Sequence, residues 1–150
     1  MISMPLGFFE PVAFFPYIAV RYRMTIKDAK VLICDDSILA RNQIQGILEQ
    51  IGNNNCVQVR DGHEAVEALQ KEHFDLMFLD FCMPNVDGID VLKSIAFLDK
   101  RPYIIIVSSM CTKSMIVESL GFGANDFIQK PYSANQMITV IENWQKKLIN

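Results

Sequence analysis

The sequence predicts a single α/β domain built on a parallel sheet of five strands. From Lys30 onward, short apolar runs alternate with turns rich in Asp, Gly or Ser and then with amphipathic stretches. This alternation is typical of consecutive βα units, whose strands run parallel. The length of 150 residues supports one domain, because domains commonly contain roughly 100 to 200 residues. With 51% apolar residues, the chain has enough material for a hydrophobic core.

Five apolar runs are predicted to be strands. Three of them are rich in apolar residues throughout, as expected for strands that are covered on both faces. The other two alternate with polar residues or are short and flanked by charge, which suits the edges of a sheet. The central runs are 31–34, 76–79 and 103–107, and the edge runs are 56–60 and 127–129.

Helices are predicted between and after the strands from capping residues and apolar periodicity. The expected N-caps are Ser37, Asp61, Asp87, Thr112 and Ser133. Gly121 is expected to end the fourth helix in the left-handed conformation that favours glycine. One apolar stripe is expected on the last helix, formed by Met137, Val140, Ile141, Trp144 and Leu148.

Five βα units of this size predict the flavodoxin-like, doubly wound parallel sheet with strand order 2-1-3-4-5. This order places the two polar strands at the edges. It also creates a switch point between strands 1 and 3, and such sheets bind ligands there, outside the carboxyl ends of the strands. The functional site is therefore expected at that edge.

Three carboxylates are expected to meet at the switch point. Asp35 and Asp36 follow strand 1, and Asp80 follows strand 3. Like charges this close raise one another's pKa unless a cation joins them. A few carboxylate ligands with open positions suit Mg²⁺ better than Ca²⁺. A helix cap or a turn explains any one of these residues alone, but the three together favour a metal site.

Two further polar groups are expected at the same edge. Ser108 follows strand 4, and Lys130 follows strand 5. Pro131 comes next, which stiffens the backbone and permits a cis peptide bond. A carboxylate nucleophile, a divalent cation, a hydroxyl and an ammonium group are the parts needed to transfer a phosphoryl group to an aspartate.

From about Lys30 to Leu148, the sequence resembles the CheY-like receivers of two-component signalling. The motifs that carry the resemblance are VLICDDS at 31–37, DFCMPNVDG at 80–88, IVSS at 106–109 and FIQKP at 127–131. The resemblance implies that Asp80 is the phosphoacceptor and that Ser108 and Lys130 contact the phosphoryl oxygens. The implied Mg²⁺ ligands are Asp35, Asp36, Asp80 and the backbone carbonyl of Cys82.

The resemblance also implies a signalling role rather than conventional enzyme activity. A sensor histidine kinase or phosphotransfer protein would supply the phosphoryl group, and a downstream output protein would bind the modified form. Chemotaxis-type control and a phosphorelay both fit. Phe127 corresponds to a switch position where Tyr is frequent in the family, and it is equally compatible with ordinary strand packing. Cys82 and Met110 correspond to positions that influence the lifetime of the phosphoryl group.

Two other classes of protein use similar features. A flavodoxin-like cofactor binder would need a phosphate loop rich in Ser, Thr or Gly after strand 1, where Asp35 and Asp36 would repel the phosphate. A phosphatase with an aspartyl nucleophile usually carries a second acid two residues later, where this chain has Cys82. Both alternatives are therefore disfavoured. Binding to nucleic acid is not expected either, because the net charge is −3.

Residues 1–23 form an apolar extension of uncertain status, and the receiver-like domain is expected to span 24–150. Proline interrupts the extension, and no basic region precedes its apolar stretch, so neither a membrane span nor a secretory signal is expected. It is either a dispensable extension or an apolar tether to a partner or membrane surface. The four cysteines are widely spaced, which indicates reduced thiols and a cytoplasmic protein.

Overall fold

A computed structural model describes residues 24–149, and the fold is given for these residues. The strands are β1 (Val31–Cys34), β2 (Cys56–Val59), β3 (Leu76–Leu79), β4 (Tyr103–Ser108) and β5 (Asp126–Gln129). The helices are α1 (Ile38–Gln50), α2 (Gly62–Lys71), α3 (Gly88–Ser94), α4 (Lys113–Gly121) and α5 (Ala134–Lys147). The expected extension 1–23 lies outside the described residues.

The strands form one parallel sheet in the order β2-β1-β3-β4-β5, so the predicted flavodoxin-like topology is confirmed. Every residue of β1 and β3 is buried, whereas β2 is only partly buried along its length. The fully apolar runs are therefore central and the more polar runs are at the edges, as the sequence predicts. The predicted strand limits differ from the observed ones by one residue at β2, β4 and β5.

The helices begin at the predicted caps. The side chain of each N-cap accepts a hydrogen bond from a backbone N–H three residues later, which satisfies one free donor of the first turn. Reciprocal capping boxes form at Asp87 and Ser133. At Asp61 the box is incomplete, because the Glu64 carboxylate accepts from the N–H of Arg60 instead.

Two predictions about helix ends are wrong. Gly121 is the last residue of α4, and the left-handed glycine is Gly123, with φ of 102°. The backbone there lies against Arg101, whose guanidinium donates to the carbonyls of Phe122 and Gly123. A Cβ added to Gly123 would clash with that guanidinium. The stripe of α5 ends at Trp144, since Leu148 lies beyond the core and is 47% exposed.

The sheet separates two hydrophobic layers, and side-chain alternation along β1 assigns its residues to them. Val31 and Ile33 face the layer that contains buried residues of α1 and α5. Leu32 and Cys34 face the layer that contains buried residues of α2 and α3. Because successive strand side chains point to opposite faces, Asp35 continues on the side of Ile33.

Asn53 anchors the segment that precedes β1. Its buried side chain donates to the carbonyls of Ile26 and Ala29, and it accepts from the N–H of Asn55. The N–H of Ile26 in turn donates to the side chain of Gln145, at 2.6 Å. These bonds join the first described turn to the end of α5 and to the connection before β2. Among residues 24–149, no helix has the length and apolar character needed to cross a membrane.

Candidate functional site

The candidate site lies at the carboxyl ends of β1 and β3, the two neighbouring strands at the switch point. Cys34 and Leu79 are register partners, so the next residues, Asp35 and Asp80, emerge side by side. The N–H of Asp80 donates to the carbonyl of Cys34 at 2.9 Å, which continues the pairing to the site itself. The buried strand pair therefore fixes the spacing of the two aspartates.

The site brings three carboxylates together. Oxygen atoms of Asp35, Asp36 and Asp80 all lie within 4.8 Å of one another. Asp35 is 1% exposed and Asp80 is 5% exposed, whereas Asp36 is open to solvent. Oxygen ligands with one accessible side suit Mg²⁺, which is bound by oxygen atoms and usually keeps several waters. The residues present therefore fit this ion.

The electrostatics of Asp80 show why a cation is favoured. Burial raises the pKa of Asp80 to about 6, and the Asp35 charge acts in the same direction. The N–H of Cys82, which donates to Asp80 Oδ1 at 3.1 Å, and the charge of Lys130 lower the pKa but do not cancel the increase. Without a metal, the carboxylate is thus held in an environment that disfavours its charge.

Lys130 joins the cluster from the end of β5. Its Nζ donates to Asp35 Oδ2 at 2.7 Å and lies 3.7 Å from Asp80 Oδ2. Burial alone would lower the pKa of Lys130, but the hydrogen bond to Asp35 and the charge of Asp80 outweigh it, so the pKa is raised. The Lys130–Pro131 peptide bond is cis. Lys130 is therefore cationic and in contact with the carboxylate pair.

Ser108 and Cys82 occupy the β4 side of the site. Ser108, the last residue of β4, is fully buried, and its Oγ accepts from the N–H of Met110 at 3.3 Å. The Cys82 thiol lies 3.6 Å from this hydroxyl and is exposed. Further along the same edge, Phe127 is 38% exposed on β5. All the predicted site residues thus lie at one end of the sheet.

Two side chains near the site were not identified from the sequence. The Arg41 guanidinium donates to the backbone carbonyl of Asp35 at 2.7 Å and to the Gln58 side chain at 2.9 Å. Arg41 is four residues after the Ser37 cap, a spacing that directs it back toward the β1–α1 loop, but nothing local in the sequence identifies Gln58 as its partner. Tyr132 was also missed, because a tyrosine after Pro131 resembles ordinary core material.

Residues 31–142 match the family model described as response regulator receiver domain. The chain belongs to this family. Two relatives are chemotaxis proteins named CheY. The Bacillus subtilis protein is 36% identical over 112 residues, covering 75% of this receiver and 93% of the relative. The Thermotoga maritima protein is 32% identical over 117 residues, covering 78% and 98%.

A solved structure from Borrelia burgdorferi, a CheX-CheY-BeF3-Mg²⁺ complex, gives a TM-score of 0.73. It is 31% identical in sequence and covers 77% of this receiver and 87% of that chain. The range that matches the family model includes all three aspartates of the carboxylate cluster and Lys130. The chain is therefore a receiver of the CheY type, consistent with a role in two-component signalling.

Proposed function

We propose that this receiver accepts a phosphoryl group on Asp80, with Mg²⁺, from the phosphohistidine of a sensor kinase or phosphotransfer protein. The observation that supports the proposal most is the convergence of Asp35, Asp36 and Asp80, with oxygens within 4.8 Å, beside the cationic Lys130. Asp80 lies near both of the other acids and 3.7 Å from the lysine nitrogen, so all of these groups can act on a phosphoryl group that it carries.

In the proposed reaction, a carboxylate oxygen of Asp80 attacks phosphorus and forms an acyl phosphate. The bond between phosphorus and the donor histidine nitrogen breaks, and the nitrogen keeps the electron pair and takes up a proton from solvent. The contact from the N–H of Cys82 to Asp80 Oδ1 orients the nucleophile. Position and charge neutralisation account for most of the catalysis in such transfers.

The proposed Mg²⁺ ligands are the carboxylates of Asp35, Asp36 and Asp80 and the backbone carbonyl of Cys82. When bound, the ion supplies positive charge that offsets the repulsion between the incoming phosphoryl oxygens and the carboxylates. Lys130, 3.7 Å from Asp80, needs only a short movement to contact a phosphoryl oxygen. Ser108, at the end of β4, is the proposed hydroxyl donor to a second oxygen.

The proposed output is an interaction with another protein rather than turnover of a substrate. The phosphoryl group favours one of two conformations by making contacts that the resting form lacks. Lys130 and Ser108 make these contacts, and the loop from β4 to α4 and Phe127 respond. A chemotaxis-type pathway or a phosphorelay would use this response, and the CheY complex with CheX, BeF3 and Mg²⁺ supports a protein partner of this kind. We infer a cytoplasmic location, which the four free cysteines support.

We also propose that the phosphorylated form loses its phosphoryl group slowly. Hydrolysis requires a side chain that orients an attacking water near Asp80. Cys82 and Met110 flank the site, and thiol and thioether groups form only weak hydrogen bonds. Neither side chain is suited to hold such a water.

Acetyl phosphate with Mg²⁺ provides a direct test of the acceptor. We expect the intact mass of the parent protein to increase by one phosphoryl group, and only when Mg²⁺ is present. Asp80→Asn should remain unlabelled, whereas Asp99→Asn, an exposed acid at the opposite end of the sheet, should label like the parent. Equal labelling of Asp80→Asn would show that another residue is the acceptor.

A further inference from the structure

Two of the free cysteines lie at the same end of the sheet as the candidate site. Cys82 follows β3 and Cys111 follows β4, and these strands are neighbours, with Leu79 and Ile106 as register partners. Neighbouring strands lie about 4.8 Å apart, so the two chain segments that leave their ends start close together. Both cysteines lie in connections outside the helices and strands. A bond between them therefore does not require a strand or a helix to break.

Ser108 contacts the sulfur atoms of both residues. The Cys82 Sγ lies 3.6 Å from the Ser108 hydroxyl oxygen, and the Cys111 thiol donates to the Ser108 carbonyl at 3.5 Å. Burial raises the pKa of the Cys111 thiol, and the charge of Cys82 raises it further, which agrees with two sulfur atoms on neighbouring connections. The two thiols thus form a pair around one residue of the site.

The exposure of the two thiols gives each of them a different part in an oxidation. Cys82 is exposed, and Cys111 is partly exposed. A solvent-accessible cysteine beside a second cysteine is typical of oxidant-sensing thiols, because the second thiol converts the first oxidation product into a disulfide. The other two cysteines differ, since Cys34 is buried and the Cys56 thiol contacts Asn53 at the start of β2.

We propose that hydrogen peroxide converts Cys82 and Cys111 into a reversible disulfide that closes the site to phosphoryl transfer. The Cys82 sulfur attacks one peroxide oxygen, the O–O bond breaks, and a sulfenic acid and one water form. The Cys111 sulfur then attacks the sulfenic sulfur, the S–O bond breaks, and the disulfide and a second water form. The two thiol protons end in the two waters, so two thiols are oxidised and one peroxide is reduced. An excess of a reducing thiol reverses the bond by exchange.

The closure of the site rests on the proposed function, because it concerns groups that act in phosphoryl transfer. The N–H of Cys82 donates to Asp80 at 3.1 Å, and the Cys82 carbonyl is a proposed Mg²⁺ ligand. Ser108 is the proposed hydroxyl donor to the phosphoryl group. A disulfide holds its two Cα atoms within roughly 7 Å of each other. The bridge therefore fixes the Cys82 backbone and the connection from β4 to α4, which Mg²⁺ and the phosphoryl group would otherwise position.

Intact mass tests the inference, because it reports the bridge and the phosphoryl label in the same molecule. The reduced parent is treated with equimolar hydrogen peroxide, cleared of the oxidant with catalase, and incubated with acetyl phosphate and Mg²⁺. We expect molecules lighter by two hydrogen atoms to carry no phosphoryl group, whereas unmodified molecules in the same sample are labelled. Peptide mapping should join the segments that contain Cys82 and Cys111, and dithiothreitol should restore labelling.

Cys111→Ser removes the second thiol, so this variant should not lose two hydrogen atoms, and Cys82 should gain oxygen instead. Cys56→Ser is the matched control, because it keeps the pair and should form the bridge and lose labelling as the parent does. Absence of the bridge in the parent, or a Cys82 bond to a second chain, would overturn the pairing. Bridged molecules that are labelled like reduced ones would overturn the closure. Failure of the reduced parent to be labelled would contradict the proposed function and the closure with it, while the mass would still decide the pairing.

Discussion

The ammonium of Lys130 donates a 2.7 Å hydrogen bond to Asp35, whose carboxylate is almost completely buried. The contact joins the end of β5 to the end of β1 across two intervening strands. A buried ion pair of this kind contributes little to stability relative to apolar residues of similar volume in the same place. Removing only one partner is nevertheless destabilising, because the other charge stays buried without compensation. The resting structure therefore depends on the same lysine that the activated structure would redirect.

Lys130→Met should destabilise the resting protein by about 3 kcal/mol, because Asp35 keeps its charge and loses its cation. Urea unfolding in chelator measures this change. Lys146→Met, at an exposed position of α5, should change stability by less than about 0.5 kcal/mol.

The same Lys130→Met variant tests the conformational response. We expect it to be labelled at Asp80 by acetyl phosphate but to show a much smaller change in amide exchange at 112–121 and Phe127 than the parent shows. A full exchange response would assign the coupling to Ser108 or another residue.

Asp80 should make stability depend on pH in the absence of metal. Its folded-state pKa of about 6 lies above its ordinary value, so between about pH 4 and 6 the folded state holds a proton that the unfolded chain releases. Stability therefore falls as the pH rises through this window. Asp80→Asn should match the parent near pH 4 and exceed it by about 3 kcal/mol at pH 8, at about 1.4 kcal/mol per pKa unit.

Denaturant unfolding in chelator across this pH range measures the difference. Adding Mg²⁺ at pH 8 should stabilise the parent more than Asp80→Asn, since the ion offsets the cost of the charged carboxylate. A constant difference between the two proteins from pH 4 to 8 would mean that Asp80 does not titrate in this range.

Asp36→Ala separates the metal site from the rest of the fold, because Asp36 is the exposed member of the cluster. Removing one carboxylate should weaken Mg²⁺ binding by at least tenfold, and it should raise the melting temperature slightly in chelator by relieving repulsion. Calorimetric titration with Mg²⁺ measures the affinity. Asp99→Ala, an exposed acid in the loop before β4, should retain the affinity of the parent. Unchanged Mg²⁺ binding in Asp36→Ala would exclude the three-carboxylate site.

Arg41→Met should weaken Mg²⁺ binding without removing any metal ligand. The guanidinium holds the Asp35 carbonyl and Gln58, so its loss frees the loop that carries Asp35 and Asp36. We expect a three- to tenfold loss of affinity, about 1 kcal/mol, as one charge-assisted contact is removed. Arg60→Met is the control, because its exposed pair with Glu64 contributes little. If both variants bind Mg²⁺ like the parent, the loop does not need Arg41.

A chain that begins at Met24 should fold and accept phosphate like the full chain. The five strands and five helices of the (βα)5 unit lie within the described residues, and side chains of these residues pack into two hydrophobic layers. Melting temperature and labelling by acetyl phosphate are the measurements. A large loss of soluble protein would show that residues 1–23 cover an apolar surface.

The sequence predicts the sheet well because burial on both faces requires apolar residues at every position, and β1 and β3 have them. The strand order in turn predicts that Asp35, Asp36 and Asp80 lie close together, because the carboxyl ends of parallel strands meet at one edge of the sheet. Features that depend on distant contacts were not predictable. One such contact is that of Arg101 with the carbonyls of Phe122 and Gly123, about twenty residues later. The left-handed conformation of Gly123 is instead local to the end of α4, where the N–H groups of Gly123 and Ala124 donate to the carbonyls of Leu120 and Ser119.

The residues near the site that the sequence does not identify also depend on contacts between distant parts of the chain. The role of Arg41 depends on Gln58 on a neighbouring strand, and local periodicity contains no information about that pairing. The burial of the Tyr132 hydroxyl without a partner is likewise a property of the assembled core. Reactive residues at strand ends can be identified from the sequence, whereas the side chains that orient them can be identified only in the folded structure.

Asn53 sets a physical limit on where the folded unit can start. Its amide donates to the carbonyls of Ile26 and Ala29, which both precede the first strand. A chain that begins after Ile26 would lack the first of these carbonyls, so one of the two hydrogen bonds from the buried Asn53 amide could not form. A chain that begins at Val31 would lack both carbonyls. The minimal autonomous unit is therefore defined by an amide located after α1, and it begins several residues before the sheet.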